Sequence, residues 1–207
     1  MHKPFYLCLF LILAVPASNT IALATSDNSL SRHEIKHLLR HKIIAIKELA
    51  ESPLLIREVE KQNRLKKTMN SILQTDRMWH KLDISHPIKK QMYASKTGTF
   101  LKGLVEFENS IYSEIFLTDN QGANITSWPI TSDYWQGDEE KWSKVFNQSN
   151  TDVFVGELEF DESSHTNAVQ ISVPVLKNKK IIGVLIAGIK LTYLQGKYLK
   201  SQKEKSY

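Results

Sequence analysis

Between residues 29 and 74 apolar side chains recur at three- and four-residue steps. Leu30, Ile35, Leu38, Leu39, Ile43, Ile46 and Leu49 precede Pro53, and Leu54, Leu55, Val59, Leu65, Met69, Ile72 and Leu73 follow it. That spacing is the period of one buried helical face. Ser31 with Glu34 three residues on has the form of a capping box. Proline lacks an amide hydrogen and crowds the preceding turn, so Ser52-Pro53 predicts a kink or a break. The segment reads as a two-part helical stalk over residues 25–75. Residues 75–87 read as irregular, and 88–108 as a short helical stretch with loops at Thr97-Gly98 and near Gly103.

From residue 111 the pattern changes to short apolar runs ended by turns. Residues 111–118 and 123–128 flank Asp119-Asn120-Gln121-Gly122, whose Asn and Gly tolerate the positive φ of a tight turn, and so predict a hairpin. Residues 138–146 carry helix formers with Trp142, Val145 and Phe146 on one side. Residues 153–160, 168–176 and 181–191 are three further strands, the last two joined at Lys177-Asn178-Lys179-Lys180. Hairpin spacing without intervening helices implies antiparallel pairing. The fold class is therefore α+β, with an N-terminal helix kinked or broken near Pro53 on a five-stranded antiparallel sheet. Glu114 reads as an outward-facing charge in a strand, Gly183 and Gly188 as sites of close packing, and residues 196–207 as a polar tail.

The N-terminus changes the picture. Lys3 is followed by an unbroken apolar run from Phe5 to Val15, and Ala22-Leu23-Ala24 supplies the small residues of a cleavage site. The run is short for a membrane span. Residues 1–24 are expected to be a signal peptide cut after Ala24, with an uncleaved anchor as the alternative. The expected location is periplasmic or secreted. Cleavage removes Cys8, the single cysteine, so the exported chain has no disulfide, Cys-ligated metal or Cys nucleophile. At 207 residues before cleavage the chain is long enough for one apolar core. Its formal charge of +5 is spread along the sequence. The densest stretches, Arg57 to Lys67 and the C-terminal lysines, lack the interleaved aromatics of a nucleic-acid face, and no nucleic-acid partner is expected.

Two sets of residues carry candidate chemistry. Trp128, Tyr134 and Trp135 offer flat walls with a polar tip, and Asp138 and Asp161 offer carboxylates suited to an ammonium or hydroxyl-bearing ligand. The competing reading makes Trp128 and Trp135 core residues and Asp138 the N-cap of the following helix. The second set, His33-Glu34-Ile35-Lys36-His37, matches the H-E-x-x-H signature of zinc peptidases. His41 lies on the same face, but it is about 12 Å along the axis from His33, too far to share one zinc. No glycine turn follows to return a third ligand. No catalytic serine motif, phosphate loop or dinucleotide fingerprint occurs. The expectation is a non-enzymatic protein with no catalytic residue, metal or cofactor.

Four blocks bear a family likeness: Ser52-Pro53-Leu54-Leu55-Ile56 with Gln62-Asn63; Asp76-Arg77-Met78-Trp79; Glu114-Ile115-Phe116-Leu117-Thr118-Asp119 with Gly122; and Ser132 to Trp142 with Glu159-Phe160-Asp161-Glu162-Ser163, Val173-Pro174-Val175 and Ile182-Gly183-Val184. Together they resemble a single Cache (PDC) domain, a PAS-like extracytoplasmic sensor. The resemblance implies a long helix packed beside a PAS-like sheet, a ligand cup on one sheet face, and Asp161 at the strand end where relatives hold a ligand amine. It implies one sensor domain over 25–195, with its core at 76–195. Two departures stand out. No transmembrane helix or signalling domain follows Leu194, so a free-standing module is expected. The arginine that clamps a ligand carboxylate in amino-acid-binding members falls at Thr126, counting back from Trp128, so an α-amino acid is not expected. The function implied is sensing of a small polar metabolite, reported to a membrane receptor or sensor kinase, with homodimerisation through the N-terminal helix as an option. The alternatives are a zinc peptidase built on HEIKH, or a structural protein with no ligand.

Overall fold

The computed structural model describes residues 32–147 and 152–204. The signal segment, the cut after Ala24 and the Ser31 cap lie outside the described residues. The helical stretch divides into α1 (Arg32–Ala50), α2 (Pro53–Arg64) and α3 (Met69–Trp79). Pro53 occupies the first turn of α2, where its missing amide costs nothing, and the Ser52 hydroxyl accepts from Leu55 N at 3.4 Å. The break expected at Pro53 is thus a helix start. A second break was not legible. Lys66 takes φ 48° and ends α2, and Thr68 caps α3, its hydroxyl accepting from Ser71 N at 3.3 Å. Helix α3 also runs into the stretch expected to be irregular.

Helices α4 (Pro87–Ala94) and α5 (Lys96–Phe107) replace the single broken stretch. The join falls at Ser95, whose hydroxyl accepts from Gly98 N at 3.0 Å. Thr97-Gly98 and Gly103, read as loop markers, are inside α5. Gly98 is there for proximity, since a Cβ would lie 1.8 Å from Met92 O of α4.

The sheet contains β1 (Tyr112–Thr118), β2 (Asn124–Trp128), β3 (Phe154–Asp161), β4 (Thr166–Lys177) and β5 (Lys180–Lys190) in the order β2-β1-β5-β4-β3, every pair antiparallel. The fold is α+β, with helices on a PAS-like five-stranded sheet. Between β2 and β3 lies α6 (Glu140–Phe146), and α7 (Leu191–Glu204) follows β5. Residues 196–204, expected in a polar tail, belong to α7, which packs against α1 and the sheet and buries Leu194.

Side chains alternate across each strand, and both faces of this sheet are covered. Ile115 and Leu117 of β1, Val169, Ile171 and Val173 of β4, and Leu185, Ala187 and Ile189 of β5 meet Leu39 and Ile46 of α1, Leu55 and Val59 of α2, and Leu101 of α5. The opposite parity gives a smaller cluster, in which Phe116, Val184 and Ile186 pack on Trp142 and Val145 of α6. This double cover explains why β1 is buried at every position. Among the described residues no helix is long and apolar enough to cross a membrane.

Helix α1 is therefore part of the core. Ile46 is fully buried, and Ile46→Ala should cost about 2–5 kcal/mol by transfer and cavity terms. Urea unfolding measures it; a loss below about 0.5 kcal/mol would mean that α1 stands off the sheet.

Candidate functional site

The second face of the sheet is only partly filled by α6. Beyond Phe116 toward β3 it opens into a cavity of about 600 Å³, within the usual size range for a small-molecule site. Its floor is Glu114 of β1 and Gln170 and Ala168 of β4. Its walls are the 131–136 loop, the start of α6, and the end of β3 with the turn to Ser163.

Glu114 is the unexpected member. It was read as pointing outward, yet it is 2% exposed. The register explains why it can stay there. Glu114 stands opposite Gly188, and Gly188 stands opposite Gln170, so a glycine occupies the middle strand between two polar side chains. A Cβ at Gly188 would lie 2.1 Å from Ser113 Oγ and 3.0 Å from Glu114 Cγ. Across that gap Gln170 Nε2 donates to Glu114 Oε1 at 2.7 Å, and Ser163 Oγ donates to Glu114 Oε2 at 2.8 Å. Burial, reinforced by the nearby Asp161 carboxylate, pushes Glu114 up to about 7, against the pull of Lys141 and the two hydrogen bonds.

Lys141 is the cation of the cavity. Its Nζ lies 2.8 Å from Glu139 Oε2 and 5.6 Å from the centre of the Phe116 ring. Burial pulls this ammonium down, but Glu139, Glu114 and Asp133 together hold it above its ordinary value. Glu139 is itself raised, by burial first, with Lys141 opposing.

The loop that forms one wall is tied down from behind. Asp76 Oδ1 accepts from both Tyr134 N and Trp135 N at 2.9 Å, and Trp79 Nε1 donates to Thr131 O at 2.8 Å. Asp76 and Trp79, one turn apart on α3, thereby anchor the loop. Their spacing fits one helix face, but nothing in the sequence says what that face holds.

These ties decide where the expected site residues go. Tyr134 is 2% exposed and packs on Trp79 with ring centres 5.3 Å apart, its hydroxyl accepting from Lys67 Nζ at 2.9 Å. Trp135 donates its indole N–H to Gln121 O at 2.7 Å, and its ring lies against Gly137. Trp128 pairs with Ile115 in register, so it shares the helical face. It packs edge-on to Tyr93, and Lys102 Nζ lies 4.0 Å from its ring centre. None of the three aromatics lines the cavity. Asp138 is exposed and also outside it; the N-cap of α6 is Glu139, which makes no side-chain cap bond. Asp161 alone of the five lines the cavity; its carboxylate accepts from Ser163 N and Ser164 Oγ and lies 2.7 Å from Ser163 Oγ, so that it competes with Glu114 for the one hydroxyl hydrogen of Ser163. Thr126 pairs with Leu117, faces the helices, and donates to Met92 O at 2.5 Å, so its identity says nothing about the cup.

Sequence comparison finds no matching family model and no matching curated protein. Solved structures do match in arrangement. The sensory domain of the Campylobacter jejuni chemoreceptor Tlp3 with isoleucine bound is 17% identical, with a TM-score of 0.41 over 81% of this chain and 67% of that one. The sensor domain of the Vibrio cholerae histidine kinase DctB is 15% identical, with a TM-score of 0.38 over 70% and 59%. The sensor domain of Escherichia coli DcuS is 18% identical, with a TM-score of 0.38 over 62% and 92%. The chain is thus similar in outline to sensor domains, and spans less than two thirds of the DctB structure. The isoleucine belongs to Tlp3.

His33, Glu34, His37 and His41 lie on the exposed side of α1, away from the cavity. Among the described residues no group of three or more side chains is placed to hold a metal ion.

Glu114 gives a pH signature. The folded chain binds its proton more tightly than the unfolded chain, so its contribution to stability is greatest below about pH 4.5 and falls as pH rises to about 7. Above that the cost of the buried charge is constant. Glu114→Gln keeps both hydrogen-bond positions and removes the charge. It should stabilise the protein by about 3 kcal/mol at pH 8 and by little near pH 4.5. Equal effects at the two pH values, measured by urea unfolding, would show that the carboxylate is not held in this environment.

Proposed function

We propose that the chain is an exported sensory module that binds a small polar ligand in the cavity over Glu114 and passes the bound state to a partner. The carrying observation is the cavity itself. It is a 600 Å³ space on a sheet otherwise covered on both faces, floored by a buried carboxylate and an amide and walled by polar side chains. A core that only needed to be stable would fill this face with apolar residues, as α6 does over Phe116. The N-terminal signal supports export after a cut following Ala24, and the resemblance to single Cache domains supports one sensor domain over 25–195. No residue is assigned a catalytic role.

The route from ligand to partner runs through the walls. The Ser163 turn touches Glu114 directly, and the α6 start acts on it through the charge of Lys141. A ligand that engages these groups favours one setting of α6 and the β3 end over others that already exist. The opposite face carries α1 and α7 in contact. A membrane receptor, a sensor kinase or a second copy of the chain would read the change there.

A thermal-shift screen across amines, carboxylates, sugars and purines tests the reading. A true ligand at a hundred times its dissociation constant adds about 2.7 kcal/mol of stability and raises Tm accordingly. Asp161→Ala should then weaken that ligand by about tenfold, the scale of one hydrogen bond to a charged group. A screen in which no compound raises Tm would remove the sensory reading and leave a structural protein.

A further inference from the structure

We propose that the exposed face made by the outer stripe of α5 and the first half of α7 docks on the surface of an anionic lipid bilayer. None of its residues lines the cup, so this surface is separate from the ligand cavity and independent of the ligand-binding reading. It combines apolar side chains left in water with lysines that no acid of the chain neutralises.

Lys96, Phe100, Gly103 and Phe107 recur at four- and three-residue steps along α5, so they share one helix face. All four are exposed, Phe107 at 88%. Leu101 and Val105, on the other side of the helix, are the residues that enter the core. The stripe leads to Ser110, which forms an open groove of about 430 Å³ with Tyr193, Gly196, Lys197 and Lys200 of α7. Leu199, beside Lys200, is exposed as well. Gly103 and Gly196 are both inside helices, and a Cβ at either would meet nothing within 4 Å. Glycine weakens a helix relative to alanine, and no neighbouring atom requires it at these two places. Its effect is to keep the surface low between Phe100 and Phe107 and along the groove.

Charge selects the occupant. The acids beside this face are already engaged: Glu106 with Lys102 at 3.6 Å, Glu108 with Lys42, and Glu204 with Lys200 at 3.9 Å. Among the described residues Lys96 and Lys197 form no ion pair, and Lys197 lies 5.6 Å from the Tyr193 ring centre. A second copy docking through the same face would set these lysines against each other. A protein partner would need a pocket shaped to each of Phe100, Phe107 and Leu199, whereas a fluid layer accepts all three without one. At an anionic bilayer the lysines meet lipid phosphates, and the phenylalanine and leucine side chains enter the boundary between headgroups and acyl chains.

Co-sedimentation of the purified protein with vesicles tests this, using phosphatidylcholine alone and phosphatidylcholine with about 30 mol% phosphatidylglycerol. The anionic vesicles should bind at least about tenfold more tightly, and added salt should weaken them. Phe107→Ser, and separately Lys197→Glu with Lys200→Glu, should each weaken binding by about tenfold. Lys179 and Lys180 lie at the far end of β5 from α7. Lys179→Glu with Lys180→Glu makes the same change in net charge and should weaken binding by less than about twofold. All of these side chains are exposed or half-buried, and an unchanged Tm checks that each variant folds. Either weakening variant suffices if the other is unstable. Residues 1–31 are common to all, so differences among the variants report the face. No binding to the anionic vesicles, equal binding to neutral ones, or no loss in Phe107→Ser would each overturn the proposal. An equal loss in the Lys179 and Lys180 pair would reduce the effect to net charge and overturn it too. A concentration-dependent dimer in sedimentation velocity, abolished by Phe107→Ser, would give the face to a second copy and overturn it as well.

Discussion

Two backbone amides, those of Tyr134 and Trp135, end on one oxygen of Asp76, and the cup depends on that arrangement. A carboxylate oxygen accepting two amides holds two successive peptide units in one orientation, and charge-assisted bonds of this kind are among the stronger ones. With both units fixed, Tyr134 turns toward Trp79 and Trp135 toward Gln121. The residues on either side, Thr131 to Asp133 and Gln136, are left to face the sheet. The aromatic side chains thus serve as the back of a wall whose polar front meets the cavity. Trp79 adds a third tie through its indole N–H to Thr131 O, so α3 holds the wall at both ends.

The floor is organised by strand parity. On β1 the odd positions Ile115 and Leu117 enter the helical core, and the even positions Glu114 and Phe116 enter the other face. Phe116 is roofed by α6. Glu114 lies beyond that roof and is closed in by Gln170, Ser163 and Lys141 instead. A carboxylate this deep is stable only because Gly188 between it and Gln170 leaves room for the hydrogen bond. Even so its proton is held up to about 7, so cavity charge and external pH are linked near neutrality.

Much of this order was legible in the sequence and some was not, for identifiable reasons. The five strands, their antiparallel pairing and the Pro53 break follow from period, turn residues and the missing amide, all local effects. The division of α4 from α5 was misread because Gly98 looked like a loop residue. It is a helical glycine needed where Met92 O comes close, and closeness between helices leaves no local trace. Glu114 was misread for a related reason. Alternation gives the parity of a strand but not which face is covered, and here both are. The residues chosen for the cup followed the chemistry of their side chains. Trp128 fails on parity, Tyr134 and Trp135 on the Asp76 tie, and Asp138 on its position outside the α6 cap. Asp161 lines the cup because it sits at the end of an edge strand, where the chain turns over the floor.

These features give the two faces of the sheet different characters. The helical face is filled by the apolar contacts of α1, α2 and α5 with β1, β4 and β5, whereas the other face carries the polar cup. The groups of the cup that share charge are Glu114, Lys141, Glu139 and Asp161. Burial and Asp161 oppose the ionised form of Glu114, and Lys141, paired with Glu139, favours it. Lys141 ties α6 to Glu114 through charge, beside the apolar contact of Trp142 and Val145 with Phe116. Strand β5 joins the two faces, because Gly188 stands between Glu114 and Gln170 on the cup side while its neighbours Ala187 and Ile189 enter the core that α1 covers.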